Sequence, residues 1–343
     1  MAQLNYRENL NMKFKAYNGG LRVFKNYEIN HNNIDIYFSN MKITLTMFEN
    51  DIVKVFIGDK YEESISTNGV VDDLGKGEFI VEEDSNFVIV KGTKVLTFVD
   101  KNTTEISFRD LEGNIINEDF QPSFKDEEGN VYISKVNDCL AYYGLGEKGG
   151  DLNKKGCYTE NFNTDDPETD DDSITYYKTI PFYVALKEEA TYGIFFDNSF
   201  RSYFDMGKEM GDRIFFGAIG GQIQYYFIPG ENIKEVVKNY TALTGRMEMP
   251  PLWSLGYQQC RFSYFSQEEV RELVKTFEEK DIPLDVVYLD IDYMDGFRVM
   301  TFKTPNFDDA AGLIGDLKEK GIRTITIIDP GVKVDEEYDE FKR

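Results

Sequence analysis

The stretch that most limits how this chain can fold is Val286-Val287-Tyr288-Leu289-Asp290-Ile291-Asp292-Tyr293-Met294-Asp295. It opens as a nearly unbroken apolar run and closes on three carboxylates within six positions. A strand buried on both faces of a parallel sheet reads as such a run, and its carboxyl end is where an α/β enzyme keeps its chemistry. The surrounding pattern is strand–helix–strand–helix–strand. Ser254 to Phe262 is the expected first strand. Ser266 followed by Glu269 makes a capping box, and Val270, Leu273, Val274 and Phe277 form the stripe of an amphipathic helix. Pro283 separates that helix from the second strand, Val286 to Asp292. A second helix from about Asp308 carries Ala311, Ile314 and Leu317, and Gly321 sits where a C-cap glycine belongs. Ile322 to Ile328 is the third strand. Right-handed units of this kind build a parallel sheet.

Upstream the pattern is different. Lys42 to Phe48 alternates with period two, the sign of a strand buried on one face. Asn86 to Val90 and Lys94 to Val99 flank Lys91-Gly92-Thr93, and Glu105 to Phe108 and Asn114 to Ile116 flank Leu111-Glu112-Gly113, each a short hairpin. Tyr142 to Glu147 reads as a glycine-bearing turn, whose lone GxG is weak evidence for a phosphate site without a helix behind it. Strands resume at Ile180 to Leu186, Tyr192 to Phe196 and Gln222 to Ile228, and a helix is expected over Asn232 to Tyr240. Pro250-Pro251 stops regular structure. The expected domains are therefore an antiparallel β-sandwich over 1–240, with an acidic loop near 160–172, and an α/β domain over 241–343.

A net charge of −24 excludes nucleic acid, which needs a basic face, and an anionic membrane surface. The start MAQLNYRENLNMKFK lacks the apolar core of a signal peptide, and no run is long and apolar enough to span a bilayer. Cys139, Cys157 and Cys260, odd in number and far apart, fit reduced cytoplasmic thiols. His31 is the single histidine, in the turn-like segment Asn30-His31-Asn32-Asn33. That excludes a Ser/His/Asp triad, a Cys/His pair and a multi-histidine metal site. Carboxylates and aromatics remain, the side chains that hold sugars and work at acetal carbons.

Asp290 and Asp292 are two apart, so a regular strand would point both to one face. A buried pair of this kind is costly without a ligand, a partner charge or donors. The structural alternative is that they cap the next helix or pair with Arg298. Asp329-Pro330-Gly331 is ordinary turn chemistry. The segment from Glu160 to Asp172 is either a solvated loop or one that carries a carboxylate over a neighbouring site; it lacks the spacing of an EF-hand calcium loop.

Tyr257-Gln258-Gln259-Cys260-Arg261-Phe262-Ser263-Tyr264, Leu289-Asp290-Ile291-Asp292-Tyr293-Met294-Asp295-Gly296 and Ile328-Asp329-Pro330-Gly331 resemble successive barrel motifs of glycoside hydrolase family 31. Tyr143 to Glu147, Asn163 to Pro167 and Pro250 to Tyr257 resemble that family's preceding segments, so the resemblance runs in order from about residue 140 onward. It implies a multidomain β plus α/β chain: an antiparallel β-sandwich, then the first three β/α units of a truncated (β/α)8 TIM barrel. It also implies a retaining α-glycoside hydrolase of α-glucosidase type, whose nucleophile and general acid are aspartates about 5 Å apart. By the resemblance Asp290 binds sugar hydroxyls, Ile291, Ile327 and Phe262 line the same subsite, and Asp165 sits on a sandwich loop reaching over the barrel mouth. Asp290 and Ile291 face opposite sides of a regular strand, so both reach substrate only where the strand end is irregular.

No metal and no cofactor is implied. Only about 90 residues follow Pro251, whereas a full barrel takes about 250, so the two bond-breaking carboxylates are expected beyond Arg343 and the isolated chain is expected to be inactive. The implied partners are an α-linked oligosaccharide or glucoside, and the rest of the barrel or a second copy of the chain against the exposed sheet edge. The alternative is a carbohydrate-binding or assembly subunit that works only with a second polypeptide completing the barrel.

Overall fold

The computed structural model describes residues 22–71 and 74–343. The opening segment, read above for a signal peptide, lies outside them. The chain divides into two compact units, Met1–Arg246 and Met247–Arg343.

The first unit is two antiparallel sheets. One runs, neighbour to neighbour, Phe24–Asn30, Asn33–Phe38, Met41–Met47, Val53–Asp59, Ile223–Gly230, Thr191–Phe196, Thr179–Leu186 and Ala141–Gly146. The other runs Tyr158–Asn161, Ser202–Asp205, Arg213–Ala218, Val131–Val136, Ile115–Lys125, Ile106–Arg109, Leu96–Asp100, Phe87–Lys91 and Ile80–Glu83. Period-two alternation places Ile34, Ile36 and Phe38 inward from one sheet and Val88, Val90 and Val99 inward from the other, where they share a core. Phe204 stacks on Phe216 with centroids 5.5 Å apart, and Phe108 on Phe227 at 3.9 Å.

Two strands depart from the sequence reading, and the expected helix buries a second face of its sheet. Met41–Met47 is buried on both faces: Ile43 and Leu45 enter the core, while Lys42 pairs with Glu63 at 2.7 Å and Thr44 Oγ1 donates to Asp35 at 2.5 Å. A helix, Ile233–Thr244, covers the outer side of the first sheet, packing Val236 and Leu243 with Phe182, Phe195, Tyr226 and Ile228. Asn232 caps it by accepting from the Glu235 amide at 3.1 Å. Tyr142 to Glu147, expected as a turn, is mostly strand. Gly144 lies at φ 114°, where an added Cβ would meet the Phe182 carbonyl at 2.6 Å, and the register shifts between Gly144 and Gly146. His31 sits at φ 58° in the turn joining the first two strands.

The second unit is a parallel sheet of Gln258–Gln259, Val286–Leu289 and Arg323–Thr326, in that order. The helices Gln267–Glu279 and Ala310–Glu319 bury Val270, Val274, Leu313 and Leu317 in one cluster with Val287 and Leu289. Ser266 accepts from the Glu269 amide at 3.2 Å, and Gly321 follows the second helix at φ 82°. The first strand is far shorter than Ser254 to Phe262. Leu252–Leu255 coils into a 3-10 turn, and Asp285 draws the Tyr257 amide to its carboxylate at 3.1 Å. Among the described residues no helix is long and apolar enough to cross a membrane.

Candidate functional site

The apolar run Val286–Leu289 is the middle strand of the parallel sheet, and its last carbonyl, on Leu289, accepts from the Ile327 amide at 2.9 Å. There the strand stops. Asp290 is extended (φ −76°, ψ 167°), its Oδ1 accepts from the Ile291 amide at 2.8 Å, and Ile291–Tyr293 coils into a 3-10 turn. The same-face geometry expected of Asp290 and Asp292 is therefore absent. The turn abolishes strand alternation one residue before the pair is complete. The irregular strand end that would let Asp290 and Ile291 serve one ligand is present, and both are half-buried.

Tyr293 holds the turn. Its buried hydroxyl donates to the Ile327 carbonyl at 3.2 Å, its own carbonyl accepts from the Lys303 amide at 2.8 Å, and desolvation raises its pKa against a smaller pull from Thr326. Asp290, Ile291 and Ile327 thus share one end of one sheet. Cys260, just past the first strand, has its thiol pKa raised by desolvation first and the Asp290 charge second.

Phe262 is 81% exposed, on a loop whose backbone is tied down. Arg261 Nε donates to the Ser263 carbonyl at 3.0 Å, its Nη2 pairs with Glu269 at 2.6 Å, and its guanidinium lies 4.9 Å from the centre of the buried Tyr264 ring. Gln259 Nε2 donates to Tyr264 Oη at 3.1 Å, linking the loop to its strand. The motif residues Tyr264, Tyr293 and Gln259 received no role from sequence. Their signal is tertiary, since only the folded turn brings Tyr293 to Ile327.

The remaining carboxylates separate cleanly. Arg298, the partner expected for Asp290 or Asp292 on the structural alternative, bonds Asp335 through Nε at 3.0 Å and lies 3.8 Å from Asp295. Asp329 is exposed at φ 46° in a turn closed by the Gly331 amide at 2.9 Å. Asp165 belongs to the first unit, exposed in the segment after Tyr158–Asn161; the Tyr177 hydroxyl pKa is raised by desolvation and then by a hydrogen bond with it. The described residues hold no group of three or more His, Cys, Asp or Glu able to bind a metal ion. What the sheet end offers is a half-buried carboxylate beside two isoleucines, suited to accepting hydrogen bonds from hydroxyls against an apolar wall.

Residues 247–343 match the glycosyl hydrolases family 31 TIM-barrel domain, and residues 42–205 match the glycosyl hydrolase 31 N-terminal galactose mutarotase-like domain. Alpha-glucosidase 2 of Bacillus thermoamyloliquefaciens is 39% identical over 304 residues, covering 86% of this chain and 38% of that protein. An alpha-glucosidase of Saccharolobus solfataricus is 32% identical, covering 63% of this chain and 31% of that protein. Among solved structures, a Flavobacterium johnsoniae GH31 dextranase complexed with glucose superposes with TM-score 0.83 at 30% identity, over 91% of this chain and 39% of that one. The chain thus spans about two-fifths or less of the length of these relatives.

Proposed function

Because the chain belongs to glycoside hydrolase family 31, we propose that it forms the sandwich and the opening strands of the barrel of a retaining α-glucosidase, releasing glucose from the non-reducing ends of α-glucosides. Asp290 binds sugar hydroxyls at the subsite of the cleaved bond, with Ile291, Ile327 and Phe262 as its apolar lining. Asp165, on its own unit's loop, is proposed as a further sugar-binding carboxylate. The nucleophile and general acid come from later strands of the barrel, which a complementing carboxyl-terminal portion supplies. The observation that carries this reading is the turn at Asp290: it leaves the carboxylate half-buried at the sheet end with an acceptor oxygen beyond the one bound by the Ile291 amide. Three free cysteines support a reducing, cytoplasmic setting.

In this mechanism Asp290 does no bond-breaking. It anchors the ring so that the two catalytic carboxylates meet the anomeric carbon from opposite faces, and hydroxyl contacts that tighten in the oxocarbenium-like transition state lower the barrier. In the complete protein, Asp290→Ala should lower kcat/KM on a nitrophenyl α-glucoside about a hundredfold, the loss of hydrogen bonds to a charged acceptor. Near-parental turnover in that variant would remove Asp290 from the subsite. Turnover by the 343-residue chain alone would show that the bond-breaking carboxylates lie within it.

A further inference from the structure

A cavity of about 280 Å³ opens in the sandwich unit, and Lys148, Lys154, Lys155 and Lys208 all line it. In a chain of net charge −24, this hollow gathers the opposite charge. Among the described residues none of the four lysines pairs with a carboxylate. Lys148 Nζ donates to the Glu160 carbonyl at 2.8 Å, Lys154 Nζ to the Gly149 carbonyl at 2.7 Å and Lys155 Nζ to the Cys139 carbonyl at 2.5 Å. A carbonyl accepts from one of an ammonium's three N–H groups and brings no counter-charge of its own.

Two of these ammoniums are withdrawn from water. Lys154 is only 8% exposed, and Lys148 lies half-buried 5.7 Å from the centre of the Tyr176 ring. Desolvation lowers the Lys148 amine to about 8; Cys157 and Glu160 pull it back, Lys154 pushes it further down, and Glu147 pulls it back. An ammonium disfavoured by its own burial and by a second ammonium nearby is stabilised by an anion beside it. The frame is set by backbone contacts: the Lys154 amide donates to the Tyr142 carbonyl and the Gly156 amide to the Met206 carbonyl, both at 2.8 Å. Asp151, Asp171 and Asp172 also line the cavity but are solvent-exposed, and an Asp171 oxygen is taken by the Gly150 amide at 3.4 Å. Carboxylates at the rim disfavour a long polyanion and leave the interior to a small one.

We propose that this cavity is a binding site for a small phosphate-class oxyanion, free phosphate or the phosphate of a phosphorylated sugar, held by Lys148, Lys154 and Lys208. Ammoniums act on such a ligand as point charges, needing no fixed fork geometry. The site is independent of the sugar-binding reading of Asp290, and its test does not use activity. The purified chain is titrated by calorimetry at constant ionic strength with inorganic phosphate, with glucose 6-phosphate and with glucose.

Saturable binding of phosphate is expected, weakened about tenfold in Lys148→Gln and about tenfold in Lys208→Glu, as loss of one charge-assisted contact implies. Lys208 is exposed, so its variant keeps the fold, which circular dichroism checks. Affinity should also fall above about pH 8, where phosphate stays dianionic and Lys148 loses its proton. Tighter binding of glucose 6-phosphate than of phosphate identifies a phosphorylated sugar as the source, and equal binding identifies free phosphate. Absence of saturable heat with either anion, or undiminished binding in both variants, overturns the site.

Discussion

In the sandwich unit an ion pair sits in the core itself. Lys135 and Asp119 are both fully buried, 2.5 Å apart, with Tyr225 Oη accepting from Lys135 at 3.0 Å and the Ile106 amide donating to Asp119 at 2.9 Å. In the parallel-sheet unit the most sheltered pair, Arg298 with Asp335, keeps 28% and 18% of its side-chain surface in water. The difference follows from thickness. Two sheets, closed on one outer side by a helix, exclude water so deeply that a charge held there needs its counter-charge beside it. A three-stranded sheet under two helices gathers its apolar groups in one cluster and keeps its ion pairs partly in water.

Four experiments would break or sharpen that contrast. Lys135→Met leaves Asp119, whose pKa burial already raises, without its counter-charge, and should cost about 3–5 kcal/mol in urea unfolding. Adding Asp119→Leu should restore much of the loss; a neutral single variant would mean the pair is not integral to the core. In the second unit Leu313→Ala should cost about 2–5 kcal/mol, and hydrogen exchange should quicken among residues of 247–343 while the sandwich amides stay protected. Equal quickening in both units would deny their separate cores.

Asn232→Ala removes one cap and should cost about 1 kcal/mol, read as faster exchange in the first turn of Ile233–Thr244. The smallest effect is acid-dependent. The Glu337 amide, and then Arg298, hold the Asp335 carboxyl below the usual aspartate range. A depressed carboxylate stabilises the fold above its unfolded value, and that contribution is lost as pH falls through the lower folded value. Carboxyl NMR titration should place the Asp335 midpoint below that of a free aspartate, and Arg298→Ala should move it upward. An unmoved midpoint would leave the backbone amide and the Lys333 charge as the causes.

Much of the architecture was legible because its signals are local. Ser266 caps its helix through a group three residues away, Gly321 supplies a positive φ, and the runs at Asn86 to Val90 and Lys94 to Val99 form paired neighbouring strands. The sites of failure are where a distant group decides. Met41–Met47 gained a second buried face from Glu63 and Asp35. Tyr142 to Glu147 became strand because Thr179–Leu186 pairs beside it. Lys135 and Asp119, 16 positions apart and on paired strands, left no pattern that marks them as a core pair.

The opening stretch shows both limits. Its apolar run determined a buried segment by itself, since exposure would leave Val286, Val287 and Leu289 in water, and the helix patterns on either side made it a parallel strand. Where that strand stops was decided by tertiary structure. Tyr293 reaches the Ile327 carbonyl of the neighbouring chain segment, and a hydrogen bond across 34 positions is not encoded in the spacing of Asp290 and Asp292. The sequence alone determined that carboxylates cluster at this sheet end. Their separate surroundings come from the turn, because side-chain direction depends on backbone angles that only the packed neighbour fixes.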